Sequence, residues 1–318
     1  MAETKNNKTG AIIGLGGLGC PALLSLIECW PIDLKLTLKL IDNDIVSSSN
    51  LNRQILFSSD TIGQRKIDAA QEGLKKYFGE LPSFVSLDTY FEKISLDNID
   101  SLLAECDFIL DCTDDVEFKM LINHYALFNK KILIYAGVQG FNGIVLPIIP
   151  NGPCLNCVFG DFTKEEACEL GGSCRAGGVI GSIAGLTALT QVNELMSCLN
   201  DKTKNTEINL HAINSSGVIR KISTKINPNC ANGCTPNPVK TVDLRAFKCP
   251  DTFLYAKLAL EKLRSELKNS LEVEFRFGSY QDLENVAQSL EQEGFKRNKK
   301  IICKELSEYK LLFVLLND

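Results

Sequence analysis

No stretch of this sequence stays apolar long enough to cross a bilayer as a helix. Residues 1–8 are polar and lack the apolar centre of a secretory signal, so a cytoplasmic location is expected. There is no block of consecutive basic residues, and the net charge is -5. Both facts argue against nucleic acid as the main partner. Histidine is almost missing. With only His124 and His211, no Ser-His-Asp or Cys-His system leaves a trace, and each histidine reads as a surface or packing residue. Cysteine, in contrast, is abundant: 13 residues, an odd number. Without a secretion signal this favours metal or thiol chemistry over a disulfide framework. Apolar residues make up 45% and charged residues 23%, a composition that buries a core and is not disordered. At 318 residues the chain holds one large domain or two ordinary ones.

The richest stretch runs from Ala11 to Lys66. An apolar strand, Ala11-Ile12-Ile13, leads into Gly14-Leu15-Gly16-Gly17-Leu18-Gly19. A helical run follows from Pro21 to Cys29, then a second strand from Leu34 to Ile41, closed by Asp42. Strand, glycine turn, helix, strand and acid form the order of a nucleotide-binding βαβ unit. Gly14, Gly16, Gly17 and Gly19 let the backbone approach phosphate oxygens, the helix N-terminus offers unpaired N–H groups, and Asp42 is placed for a ribose. A tight βα turn with no ligand is the alternative reading of the ladder taken alone. What comes next is more specific: Ser49-Asn50-Leu51-Asn52-Arg53-Gln54, then Gly63-Gln64-Arg65-Lys66. Fixed cations beyond the ribose acid have no use in hydride transfer. They suit ATP cleavage, where charge builds on the triphosphate.

Gly-x-Gly-Gly-Leu-Gly, the pair Asp42/Asp44 and Ser-Asn-Leu-x-Arg-Gln together resemble the ThiF/MoeB/HesA adenylyltransferases, relatives of ubiquitin-activating enzymes. The resemblance implies ATP with Mg²⁺, and Asp44, Asn50, Arg53, Gln54 and Lys66 around the nucleotide, with Arg53 and Lys66 stabilising phosphate charge.

From residue 11 to residue 150, strands and helical runs alternate, which implies an α/β fold: a doubly wound, Rossmann-like, mostly parallel sheet. The buried strand 107–111 ends in Cys112-Thr113-Asp114-Asp115. Asp114 therefore belongs at the same sheet edge as the glycine loop, as a Mg²⁺ ligand or as a helix N-cap. The resemblance favours the metal and catalytic role, although Asp115 stands where the family has Asn. Cys154 and Cys157, spaced C-x-x-C, and Cys230 and Cys234 fit a closed tetrahedral Zn²⁺ site, which the resemblance makes structural. Between the pairs, four glycines surround Cys174-Arg175, an accessible thiol whose neighbour favours the thiolate. The resemblance gives Cys174 a covalent link to the activated partner or its sulfur; Cys168, nearby in sequence, is a candidate resolving thiol.

Thr235-Pro236-Asn237-Pro238 breaks regular structure, so we divide the chain into domains at 1–238 and 239–318. The tail reads βαβαββ, a small two-layer α+β domain. Its opening, Asp243-Leu244-Arg245-Ala246-Phe247-Lys248-Cys249-Pro250, resembles the TusA/SirA sulfur-relay family. Cys249 stands at a helix N-cap before proline, with Arg245 and Lys248 nearby, which lowers a thiol's proton affinity and suits a persulfide carrier. Thr252 replaces the second proline of that family's motif, and Ala246 its glycine.

Together these resemblances imply adenylation of the C-terminal carboxylate of a ubiquitin-like sulfur-carrier protein (ThiS/MoaD-like). Sulfur transfer to a thiocarboxylate would follow, with Cys174 and Cys249 as thiols. They also imply an upstream sulfur donor such as a cysteine desulfurase, a homodimer, and no membrane partner. The family's N-terminal helix with its arginine has no counterpart before Arg53, so Arg65 or Lys8 is the candidate substitute. Three alternatives stand beside this one: adenylation of a peptide or tRNA base, a non-catalytic carrier-docking scaffold, and a nicotinamide oxidoreductase.

Overall fold

The structure is a computed structural model that describes residues 7–160, 178–200, 208–227, 230, 234, 239–245, 251–266, 271–292, 296–303 and 308–315. The chain divides into two compact units, Met1–Gly152 with Ala167–Lys225, and Pro153–Glu166 with Ile226–Asp318. This division groups both cysteine pairs with the tail.

The first unit is built on an eight-stranded sheet of order β3-β2-β1-β4-β5-β6-β7-β8. Strands β1 (Asn7–Ile13), β2 (Lys35–Ile41), β3 (Val85–Tyr90), β4 (Phe108–Asp111) and β5 (Ile132–Gln139) pair in parallel. Strands β6 (Asn142–Ile148), β7 (Ile208–Ile213) and β8 (Ile219–Thr224) continue it antiparallel. The central strand β4 is buried at every residue and reads as an unbroken apolar run ending in an acid, as a parallel strand covered on both faces does. Helices α1 (Gly19–Cys29), α2 (Lys66–Phe78), α3 (Ile99–Leu103) and α4 (Val116–Phe128) connect the strands, and α6 (Gly181–Asn200) packs against α1, β5 and β6. Leu23, Leu26 and Ile27 are among the buried residues of α1, Trp30 just after it is buried too, and the Trp30 and Phe108 ring centroids lie 5.9 Å apart. A Cβ on Gly10 would overlap the Phe108 ring, so a glycine in mid-strand makes room for that aromatic.

The mostly parallel, doubly wound sheet is the one the alternating pattern implied. The strand read from Ala11 begins earlier: residues 7–10 extend β1, because Asn7 to Gly10 pair in register with Lys35 to Leu38. Polar residues at an exposed strand start carry no apolar signal, and the partner strand decides their conformation. The short helix α5 (Leu155–Phe159) was not foreseen. Helix α3 is confined to Ile99–Leu103, and just before it the Asn98 side-chain oxygen accepts the Ser95 backbone N–H at 2.8 Å.

In the second unit the order after β9 (Val239–Asp243) is α7 (Asp251–Glu266), β10 (Leu271–Phe277), α8 (Tyr280–Gln292), β11 (Lys296–Cys303) and β12 (Glu308–Leu315). The sheet runs β11-β12-β10-β9, with β9 and β10 parallel and the other pairs antiparallel, and the two helices pack on each other. This is the anticipated βαβαββ layer.

Candidate functional site

The glycine loop sits at the carboxyl end of β1, and its glycines do different work. Gly14 has φ +91, and a Cβ there would stand 2.8 Å from the Cys112 carbonyl oxygen. A Cβ on Gly19 would overlap the Gly14 carbonyl oxygen, so these two positions let the turn close against β4. A Cβ on Gly16 would meet only the Gln54 side-chain nitrogen, at 3.9 Å, and one on Gly17 would meet the stem of Arg53. The Leu15 N–H is spent on Asp42 Oδ2 at 2.6 Å. The N–H groups of Gly16, Gly17 and Leu18, at the start of α1, have no acceptor among the described residues. Three successive free donors at a helix N-terminus form a seat for an anion.

Asp42 was read as a ribose acceptor. Its first task in the structure is to tie the loop: it accepts from Leu15 N–H and, through Oδ1, from Asp44 N–H at 2.7 Å. Burial pushes its carboxyl up from the usual range, and the nearby Lys66 opposes that push. Lys66 opens α2, where its ammonium reaches Asp44 Oδ2 at 2.8 Å. Asn50 shapes the intervening loop, its Oδ1 accepting Ser47 N–H and its carbonyl accepting from Arg53 and Gln54. Arg53 is held by Ser49 O and Asn52 Oδ1, each at 2.9 Å, and Asn52 O lies 2.9 Å from where a Cβ on Gly181 would stand. The N-terminus of α6 therefore packs onto the arginine segment. Gln54 is buried near Gly16.

At the end of β4, the N-cap alternative raised for Asp114 is realised by its neighbour. Asp115 caps α4, accepting Glu117 N–H at 2.8 Å. Asp114 is left exposed, with no hydrogen-bond partner among the described residues, in the turn that presses on Gly14. Beneath it lies a network that sequence reading missed. Asp111, fully buried, accepts from Thr113 N–H and Thr113 Oγ1 and pairs with Lys119 at 3.3 Å. Gln191 of α6 donates to Asp111 O and Ile134 O and accepts from Cys112 Sγ. A lysine and a glutamine set among apolar residues of α4 and α6 were the available signals. Lys8, one candidate for the additional charge, pairs with Asp107 at 3.2 Å, at the opposite end of β1 from the glycine loop of its own chain.

A model of the ThiF family matches residues 3–232. The chain belongs to the ThiF family. Among curated relatives, this ThiF-family chain is 32% identical over 196 residues to the adenylyltransferase and sulfurtransferase UBA4 of Meyerozyma guilliermondii, covering 61% of the chain and 44% of the relative. It is 31% identical over 280 residues to that of Aspergillus niger, covering 83% and 56%. It is 30% identical over 189 residues to adenylyltransferase and sulfurtransferase MOCS3 of Culex quinquefasciatus, covering 59% and 41%. The chain thus spans about half the length of the curated relatives it matches. Among solved structures it shares a fold with Escherichia coli MccB bound to ATP, at TM-score 0.56 and 21% identity over 71% of this chain and 67% of that one. No helix among the described residues is long and apolar enough to cross a membrane.

The second unit gathers Cys154, Cys157, Cys230 and Cys234, as their spacing implied, with all four sulfurs within 4.8 Å of one another. A metal bonded to sulfur at about 2.3 Å in a tetrahedron sets the sulfurs about 3.8 Å apart. The observed separations are 3.8 Å (Cys154–Cys157), 3.5 Å (Cys154–Cys230) and 3.7 Å (Cys230–Cys234), so the cluster fits such a metal. Hydrogen bonding with Cys154 draws the Cys157 thiol down and holds Cys234 up. Cys168, Cys174, Arg175, Lys248 and Cys249 lie outside the described residues.

Proposed function

We propose that the ThiF-family portion binds ATP and adenylates the C-terminal carboxylate of a ubiquitin-like sulfur carrier. One observation carries the reading: at the start of α1, three backbone N–H groups without an acceptor among the described residues stand beside Arg53, and the turn after β4 at the same sheet edge carries Asp114, exposed and without a hydrogen-bond partner among the described residues. The N–H groups and Arg53 would hold the triphosphate, with Lys66 shared between phosphate and Asp44. Asp114 would hold Mg²⁺, which offsets triphosphate charge when bound. Asp42 keeps the loop in shape and offers its remaining lone pairs to the ribose. The carrier's carboxylate oxygen attacks the α-phosphorus, the bond to pyrophosphate breaks, and an acyl-adenylate forms.

The tail from residue 239 is, in this reading, the sulfur-relay domain. Its βαβαββ order supports this, as does the family match ending at residue 232. The curated relatives, too, are named for both activities. Cys249 would carry a persulfide supplied by a donor such as a cysteine desulfurase. Its outer sulfur attacks the acyl carbon, directly or by way of Cys174, and AMP leaves. A second thiol, for which Cys168 is the candidate, cleaves the acyl disulfide to give thiocarboxylate and a protein disulfide. The four-cysteine cluster would hold one structural Zn²⁺, and the chain would act as a homodimer.

The test separates the two half-reactions. Asp114→Ala should lose carrier-dependent pyrophosphate exchange into ATP, while Cys249→Ala should keep it. Mass spectrometry of the carrier should show oxygen replaced by sulfur with the native chain and not with Cys249→Ala. Calorimetric binding of NAD without binding of Mg-ATP would refute the nucleotide assignment.

A further inference from the structure

Beyond the phosphate seat, the sheet order says where the rest of a nucleotide must lie. The glycine loop ends β1, Asp42 ends β2, and β3 is the next strand outward. Asp42 N–H donates to Tyr90 O at 3.2 Å, so Phe91, the residue after β3, adjoins the ribose acid. A nucleotide with phosphates on α1 and ribose at the end of β2 carries its base over the end of β3.

At that corner the Arg65 guanidinium carbon lies 4.6 Å from the centroid of the Phe91 ring. The backbone of Arg65 is fixed by a bridge to Ile45, and Lys66 N–H bonds Asp44 O next to it. Ile45 is 54% exposed and Phe91 37%, two apolar side chains left open beside a flat cation. Arg65 is exposed and has no carboxylate partner among the described residues. Its guanidinium lies over the Phe91 ring, and the residue as a whole is open to solvent. A planar, weakly hydrated cation of this kind stacks on aromatic rings, which a lysine ammonium cannot reproduce. The phosphate side already has Arg53 and Lys66, each held by its own partner.

We propose that Arg65, stacked on Phe91, is the shelf on which the nucleobase lies, so that it contributes to nucleotide affinity by stacking and not by phosphate charge. The inference rests on the nucleotide reading above.

Calorimetry on the full chain with Mg-ATP and with inorganic tripolyphosphate, which has neither ribose nor base, tests it. Arg65→Ala and Phe91→Ala should each weaken ATP binding roughly tenfold, the size of one lost base stack. Tripolyphosphate binding should not change. Arg65→Lys should be as weak for ATP as Arg65→Ala. If Arg65→Ala weakens tripolyphosphate as much as ATP, and lysine restores both, Arg65 is a phosphate cation and the shelf is wrong. Unchanged ATP binding in Arg65→Ala also overturns it; because Arg65 is exposed, that variant folds even if Phe91→Ala does not. If the native chain binds neither ligand, the nucleotide reading falls and the shelf falls with it. If it binds both while the variants behave like the native chain, only the shelf falls.

Discussion

Lys119→Met would remove a cation from the interior beneath the turn that carries Asp114. In the native chain its ammonium pairs with Asp111 at 3.3 Å, donates to Ala136 O at 2.7 Å and lies 4.8 Å from the Tyr135 ring centroid. Burial alone would pull this lysine down, but Asp111 and Tyr135 hold it above its usual value, so it stays charged. Methionine keeps the apolar stem and leaves Asp111, 0% exposed, without its partner. Removing one member of a buried pair costs about 3–5 kcal/mol. Total stabilities are only about 5–15 kcal/mol. The stranded carboxylate has one escape, taking up a proton. For an ordinary aspartate this costs about 4 kcal/mol at pH 7 and about 1.4 kcal/mol less for each unit of acidification. That cost caps the penalty, at about 1.5 kcal/mol at pH 5. In the variant the folded state would bind a proton that the unfolded state has lost, so its stability should fall as pH rises from 5 to 7. The chain's one tryptophan, Trp30, is buried against Phe108, and its fluorescence reports unfolding of the first unit. With a urea slope of about 2 kcal/mol per molar, the midpoint should drop by about 2 M at pH 7 and by less than about 1 M at pH 5. A drop below about 0.3 M at pH 7, or equal drops at both pH values, would refute the reasoning.

Three further outcomes are expected. Elemental analysis should find one zinc per chain, and Cys230→Ser should lose most of it and lower the thermal stability of the second unit, because binding and folding are coupled; full metal content in that variant would reject the four-thiolate assignment. Gly19→Ala should abolish ATP binding in calorimetry, since its Cβ would overlap the Gly14 carbonyl and push the loop off β4; native-like affinity would show that the loop tolerates opening. Burial pushes the Cys20 thiol up to about 12 and Cys106 to about 11, so iodoacetamide at pH 8 should spare both in the folded chain while exposed Cys29 reacts, as read by peptide mass spectrometry. Early labelling of Cys20 would contradict the closed packing under the glycine loop.

The sequence by itself determined the βαβ core, because glycine spacing, an unbroken apolar strand and a terminal acid are local signals with a single economical reading. It also singled out the four cysteines that the structure gathers, Cys154, Cys157, Cys230 and Cys234, and the βαβαββ order of the tail. Only the tertiary structure decided what each polar residue does at the sheet edge. Asp42 and Asp44 are two residues apart, yet one is buried under the loop and the other holds Lys66, 22 positions on. Asp114 and Asp115 are adjacent and chemically alike, and helix geometry alone makes Asp115 the cap and leaves Asp114 free. Lys8 looked equivalent to Arg65 as a spare cation until strand direction put it at the far end of β1. The Lys119–Asp111–Gln191 network joins residues up to 80 positions apart. Such pairings depend on which strands become neighbours, and burial, direction and register arise only when the sheet has formed.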